Sequence, residues 1–297
     1  MRRTPALALM AVVAVASLSA QGYGFTDARG KAVVLQAKAT RIVSLSPAAT
    51  EILYAAGAGK AMVGATSYCY YPAEANELVK IGGYSARTIS VEAIVSLRPD
   101  LVIGEVSMHS QLAAQIEGSG IAFAGISLIN FDDIYTAMAD FARAGGDDRA
   151  SAAAVASMKA RVEAVRTKTA GIPTNKRPTV FWEVWNEPLM TAGPGTFISL
   201  VLTAAGARNV FADITEDWPV ISFEAIAARN PDWIMASETH AAALSIESLA
   251  KRPGWAGLSA VRNRKIALLD GDIVSRPGPR FVEAMELVAT ALYPELF

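Results

Sequence analysis

A fifteen-residue segment, ISVEAIVSLRPDLVI from Ile89 to Ile103, recurs in altered form as ISFEAIAARNPDWIM from Ile221 to Met235. Each copy opens on a serine suited to cap a helix (Ser90, Ser222), puts a glutamate in the first turn (Glu92, Glu224) and continues as a short apolar stripe. Each then reaches Pro-Asp, where proline cannot extend the helix, and the apolar residues after Asp100 and Asp232 predict a short buried strand. The unit is a capped helix, a tight turn and a buried strand, used twice. Two copies are too few for a solenoid, which needs about three or more stacked units. Duplication of a lobe fits instead, and the preceding residues agree. RIVSLSPAATEILYAAGAGKAMVGA and TVFWEVWNEPLMTAGPGTFISLVLTAAGARNVF both read as strand, turn, helix and glycine stop, ending alike at Ala55-Ala56-Gly57 and Ala204-Ala205-Gly206.

A chain of 297 residues can hold two such lobes, each with its own core. Strands and helices alternate throughout, which predicts mostly parallel sheets in an α/β fold of two Rossmann-like lobes. The expected division is a signal peptide over residues 1–20, an N-terminal lobe over 21–146, a linking helix over 147–171 and a C-terminal lobe over 172–297. The linking helix is expected because Asp147 to Thr169 is rich in Ala, Lys, Arg and Glu without Pro or Gly. A helical link is stiff, so little hinge closure is expected. The signal peptide is expected from Arg2 and Arg3, an apolar run from Ala6 to Val15, and small residues through Ala20. That run is shorter than the roughly 20 residues a membrane span requires. No cysteine stands near it for lipid attachment, so the expectation is a free periplasmic monomer.

The net charge of -1, without a basic stripe, excludes nucleic acid as a partner. The single Cys69 excludes an internal disulfide, and two separated histidines leave little for a His-based metal site. What remains is a cleft between lobes, lined from strand ends, where open α/β sheets bind ligands. Tyr68 and Tyr84 come from the first lobe and Trp182, Trp185 and Trp218 from the second, with Trp182 equally readable as core. Tyr70 and Tyr71 read equally as ligand wall or as cover for the core. Tyr84, after Gly82-Gly83, is expected on a loop with little around it. The charged, Pro- and Gly-held loop from Asp270 to Arg280 is a further ligand-facing candidate, with Asp272 and Arg276 in it. Flat aromatic walls suit a large, rigid, partly apolar ligand.

A rival signal is Asn186-Glu187-Pro188 at a strand end, which resembles the acid/base motif of barrel-fold retaining glycosidases and would need a second carboxylate about 5 Å away. Glu238 is the obvious partner, yet it follows too soon after Glu187 for the intervening strand-helix units such a barrel requires. Glu92 and Glu224 stabilise their helices as first-turn acids. Their presence in both lobes also suits a two-fold partner with two basic sockets.

Taken together, RIVSLSPAATEILYAAG, the Tyr68-to-Pro72 segment, both repeat copies, EDWPVIS and GDIVSRPGPR resemble the periplasmic binding proteins of ABC importers that keep a rigid helix between their lobes and carry cobalamin, haem or iron-siderophores. The resemblance covers nearly all of the chain after the signal peptide, and is nearest to the cobalamin-binding members. It implies a carrier without catalysis or resident cofactor, whose partner is a dimeric membrane permease. By this resemblance Glu92 and Glu224 match the lobe-tip acids that dock on permease arginines. Tyr68 matches an aromatic facing the corrin, Trp218 the tryptophan before the second docking motif, and Asp272 and Arg276 polar contacts on the ligand-facing loop. Tyr84 stands where cobalamin binders have Trp and where haem-binding relatives place a haem-ligating Tyr, so haem and iron-siderophores stay open as alternative ligands.

Overall fold

The computed structural model describes residues 23–237 and 245–297. The expected signal peptide, Glu238 and His240 lie outside the described residues.

A lead-in hairpin, β1 (Phe25–Thr26) and β2 (Ala32–Val33), precedes the first lobe. That lobe runs β3 (Ile42–Ser44), α1 (Pro47–Ala55), β4 (Met62–Ala65), β5 (Val79–Lys80), α2 (Val91–Ser96), β6 (Leu101–Glu105), α3 (Val106–Gly118), β7 (Ala122–Ile126) and α4 (Phe131–Gly145). Its five strands lie in the order β5-β4-β3-β6-β7, all parallel. The linking helix α5 (Asp148–Thr169) follows, capped by the Asp147 side chain. The second lobe runs β8 (Thr179–Asn186), β9 (Leu189–Thr191), α6 (Phe197–Ala204), β10 (Arg208–Asn209), α7 (Phe223–Arg229), β11 (Trp233–Ser237), α8 (Ile246–Lys251), α9 (Ser259–Arg262), β12 (Ile266–Leu269), α10 (Gly271–Val274) and α11 (Phe281–Leu292). Its parallel order is β10-β8-β11-β12, with β9 folded back antiparallel on β8. The sequence does not announce that hairpin.

The duplicated unit is the same object in both lobes. Ser90 caps α2 by accepting the Ala93 amide at 3.0 Å, and Ser222 caps α7 by accepting that of Ala225 at 3.2 Å. Each unit turns through a left-handed residue just before its proline, Arg98 at φ 46° and Asn230 at φ 42°. The aspartates then explain themselves. Asp100 accepts the amides of Thr40 and Arg41 at 2.7 and 2.9 Å, while Asp232 accepts the Thr179 amide and hydroxyl, each at 2.8 Å. Each carboxylate thereby pins the entry of the strand, β3 or β8, on which its own strand pairs. The glycine stops agree too: Gly57 and Gly206 take φ of 76° and 90°, where a side chain would be strained.

The lobes do not meet through the linking helix alone. Met158, Val162 and Val165 of α5 are buried in an apolar core that continues from α1 and α4 into α6 and α11. Across it Phe131 stacks on Phe281 with centroids 4.0 Å apart, and Phe197 packs edge-on to both. A shared core of this kind resists hinge opening more than a stiff link would. The loop from Asp270 to Arg280 is also more ordered than its composition suggests, because Asp270 caps α10 by accepting the Asp272 amide at 2.8 Å.

Candidate functional site

The loop after β4 meets the loop after β12, where Tyr70 hydrogen-bonds to Asp272 and Arg276, and loops at the strand ends of each lobe present rings on pinned backbone. After β4, the Ser67 amide donates to the Gly82 carbonyl at 2.9 Å and the Cys69 amide to Thr66 at 3.1 Å, while the Cys69 side chain is buried. With the chain so held, Tyr68, Tyr70 and Tyr71 stand 55, 41 and 44 % exposed. In the second lobe Trp185, one residue before the end of β8, is 45 % exposed, its indole N–H donating to the Glu187 carbonyl at 2.8 Å. Trp218 is 50 % exposed on a segment clamped from both sides. The Thr191 amide donates to Pro219, the Gly193 amide to Asp217, and the Ile221 amide to Leu189. Gly193 has to be glycine here, since a Cβ would lie 1.8 Å from the Glu216 carbonyl oxygen. Trp182 is 2 % exposed and belongs to the core.

Tyr84 departs from the expected bare loop. Gly82, at φ 120°, brings the chain so close to Thr88 that a Cβ would meet its carbonyl at 2.2 Å, and this folds the loop inward. The Tyr84 hydroxyl donates to Glu105 Oε2 at 2.9 Å, and its ring meets the buried His109 edge-on at 5.8 Å. His109 Nδ1 accepts the Glu105 amide at 2.9 Å, so Nε2 carries the proton and donates to the Tyr84 carbonyl at 2.8 Å. Both ring nitrogens are therefore committed to fixing the loop. Burial, reinforced by the Glu105 charge, raises the Tyr84 phenol far above its ordinary pKa, and burial lowers that of His109.

The Asp270-to-Arg280 loop meets the first lobe through a polar network. Arg276 pairs with Asp272 at 2.5 Å, and the Tyr70 hydroxyl bridges both, donating to Asp272 and accepting from Arg276 Nη2 at 2.8 Å. Arg280 grips Glu51 of α1 with bonds of 2.7 and 2.9 Å and lies 3.9 Å over the Tyr71 ring; Arg276 Nη1 is 3.6 Å from the same carboxylate. Positive and negative charges balance, so this edge of the site is polar without net charge. Asp272 and Arg276 are thus brought together with Tyr70, while Glu51 and Arg280 are partners the sequence reading missed. Glu51 did carry a signal, as the one charged residue in the mostly apolar stretch from Pro47 to Leu53, all of which the structure buries.

Glu92 and Glu224 are both exposed, each in the first turn of its repeat helix on its own lobe. Glu187 sits exposed at the turn between β8 and β9.

The family model described as periplasmic binding protein matches residues 42–273. An ABC transporter substrate-binding lipoprotein of Bacillus subtilis (strain 168) is 33 % identical over 276 residues, covering 91 % of this chain and 85 % of that one. The crystal structure of the periplasmic vitamin B12 binding protein of Vibrio cholerae superimposes with a TM-score of 0.73 at 30 % identity, over 86 % of this chain and 97 % of that one. A periplasmic heme-binding protein of Roseiflexus sp. RS-1 gives a TM-score of 0.76 at 29 % identity, over 86 % of this chain and 99 % of that one. These relatives are binding proteins and not enzymes, which overturns the glycosidase reading of Glu187 and leaves the Asn-Glu-Pro sequence as the turn of a hairpin.

Proposed function

The chain belongs to the periplasmic binding protein family, and from that premise we propose that it captures cobalamin in the inter-lobe cleft and delivers it to the permease of an ABC importer. The observation that carries the reading is the set of half-exposed rings at the strand ends of both lobes, Tyr68 at 55 %, Trp185 at 45 % and Trp218 at 50 %. Such rings cover a large flat ligand at little entropic cost, because a ring has few torsions to fix. Asp272 and Arg276 form the polar edge. Since their charges offset each other, this edge suits neutral carboxamides, of which a corrinoid rim carries several, better than the carboxylates of haem propionates.

Haem ligation through Tyr84 is disfavoured on the same physical grounds. A tyrosinate ligand has to shed its proton, and here the phenol donates to a carboxylate that holds the proton in place. His109 is buried and spends both nitrogens on backbone groups, so it offers iron no second ligand. Glu92 and Glu224 are the proposed docking acids, and the functional form is a monomer exported to the periplasm.

The test is an absorbance and tryptophan-quenching titration of the mature protein with cyanocobalamin and, separately, with hemin. Saturable quenching by cyanocobalamin with a weak hemin response, and no effect of Tyr84→Phe on either, is the expected result. A hemin Soret shift abolished by Tyr84→Phe, without cobalamin binding, would make the protein a haem carrier.

A further inference from the structure

The polar edge assigned to the ligand is already held by a side chain of the opposite lobe. Tyr70 reaches across to donate its hydroxyl proton to Asp272 and to accept from Arg276 at 2.8 Å, with the Arg276 guanidinium 4.8 Å from its ring centroid. The backbone beneath Tyr70 is anchored, with Lys80 Nζ on the Cys69 carbonyl at 2.9 Å and Asn76 Nδ2 on the Tyr70 carbonyl at 3.4 Å. The side chain itself is 41 % exposed, so swinging it outward uncovers little apolar surface. Arg276 Nη1 meanwhile is buried without a hydrogen-bond partner, which leaves the guanidinium something to gain from a rearrangement.

We propose that Tyr70 is a specificity-determining residue that competes with the ligand for Asp272 and Arg276. The inference rests on the reading above that these two residues contact ligand. A ligand group takes them by displacing one hydroxyl that donates on one side and accepts on the other. A primary carboxamide does both and replaces the phenol on both partners at once. A carboxylate replaces it on Arg276 alone and meets the Asp272 charge at close range, which is repulsive. Tyr70 therefore sets a threshold that a carboxamide-bearing ligand passes and a carboxylate-bearing one does not.

The sign of one substitution separates this role from a structural one. Tyr70→Phe keeps the ring and its stacking on Arg276 and removes only the competing hydroxyl. Damage to the cleft weakens binding, whereas removal of a competitor strengthens it. In parallel titrations of the mature wild-type protein and Tyr70→Phe with cyanocobalamin, the variant is expected to bind roughly three- to tenfold more tightly, the scale of one hydrogen bond. Equal or weaker binding by the variant overturns the inference while leaving cobalamin as the cargo. If the wild type binds hemin and not cyanocobalamin, the cargo assignment fails and the discrimination against carboxylates falls with it. If it binds neither, both proposals fall.

Discussion

Replacing Glu51 with glutamine tests how the two lobes are held. Glu51 is on the first lobe and Arg280 on the second, and their side chains are 2 % and 15 % exposed. Their two bonds, at 2.7 and 2.9 Å, are the bidentate geometry in which attraction can offset desolvation. The substitution keeps volume and some hydrogen bonding but strips the negative charge, leaving Arg280 buried without its counter-ion while Arg276 keeps Asp272. Removing one member of a buried pair costs about 3–5 kcal/mol. The residual amide hydrogen bond and the partial exposure of Arg280 lower the expected loss to about 2–4 kcal/mol. At about 2 °C or slightly more per kcal/mol for a chain this long, Tm should fall by about 5–10 °C. Because the apolar core runs through both lobes, calorimetry should show one transition for both proteins. Glu51→Leu with Arg280→Met should recover most of the loss, since an apolar pair of similar volume often replaces a buried ion pair without penalty. A Glu51→Gln protein within about 0.5 kcal/mol of wild type, well below the buried-pair scale, would refute the reasoning: water would then reach the pair, and the lobes would be held elsewhere.

Two further outcomes follow. The Glu92→Ala, Glu224→Ala double variant should titrate with ligand as wild type does and fail to stimulate the ATPase of its permease in proteoliposomes; normal stimulation would remove both acids from the docking surface. Burial lowers the pKa of His109 from 6.5, so as pH falls the unfolded chain takes up the proton first. Its contribution to stability is then complete above about pH 6.5 and declines below it, toward the lower folded-state value. Tm measured from pH 8 to 5 should drop more steeply for wild type than for His109→Gln, whose amide can still donate to Tyr84 and accept from Glu105; parallel curves would show that folding leaves the affinity of His109 for its proton unchanged.

How far the sequence exposes the fold depends on how local the cause is. The repeat is legible because cap, glutamate, stripe and proline all act within one short segment, and each acts there as expected. The Pro-Asp aspartate shows the boundary. Its presence in both copies is plain in the sequence, but its role is to bind the entry of a strand 53 residues away in the second lobe and about as far in the first. Only the fold reveals that. Tyr84 fails differently: the two glycines rightly mark an unusual backbone, yet whether such a loop turns outward or inward depends on Glu105 and His109, which come later in the chain.

The polar edge lies beyond local reading altogether. Tyr70 and Arg276 are 206 residues apart, and Glu51 and Arg280 are 229 apart. No periodicity or capping rule links residues at that range, since the cause is the packing of α1 and the Asp270-to-Arg280 loop across a core both lobes build. The same packing bears on transport. A cleft whose wall is joined to the other lobe by a buried ion pair and by Phe131 on Phe281 cannot open widely without breaking both. Recognition then has to come from small moves of exposed side chains at the rim. Tyr70, exposed and hydrogen-bonded to both Asp272 and Arg276, is the side chain best placed to make one. A permease that docks on Glu92 and Glu224 would thus read a nearly fixed spacing between two acids on a stiff frame, and ligand release would depend on the permease pulling the lobes against that ion pair.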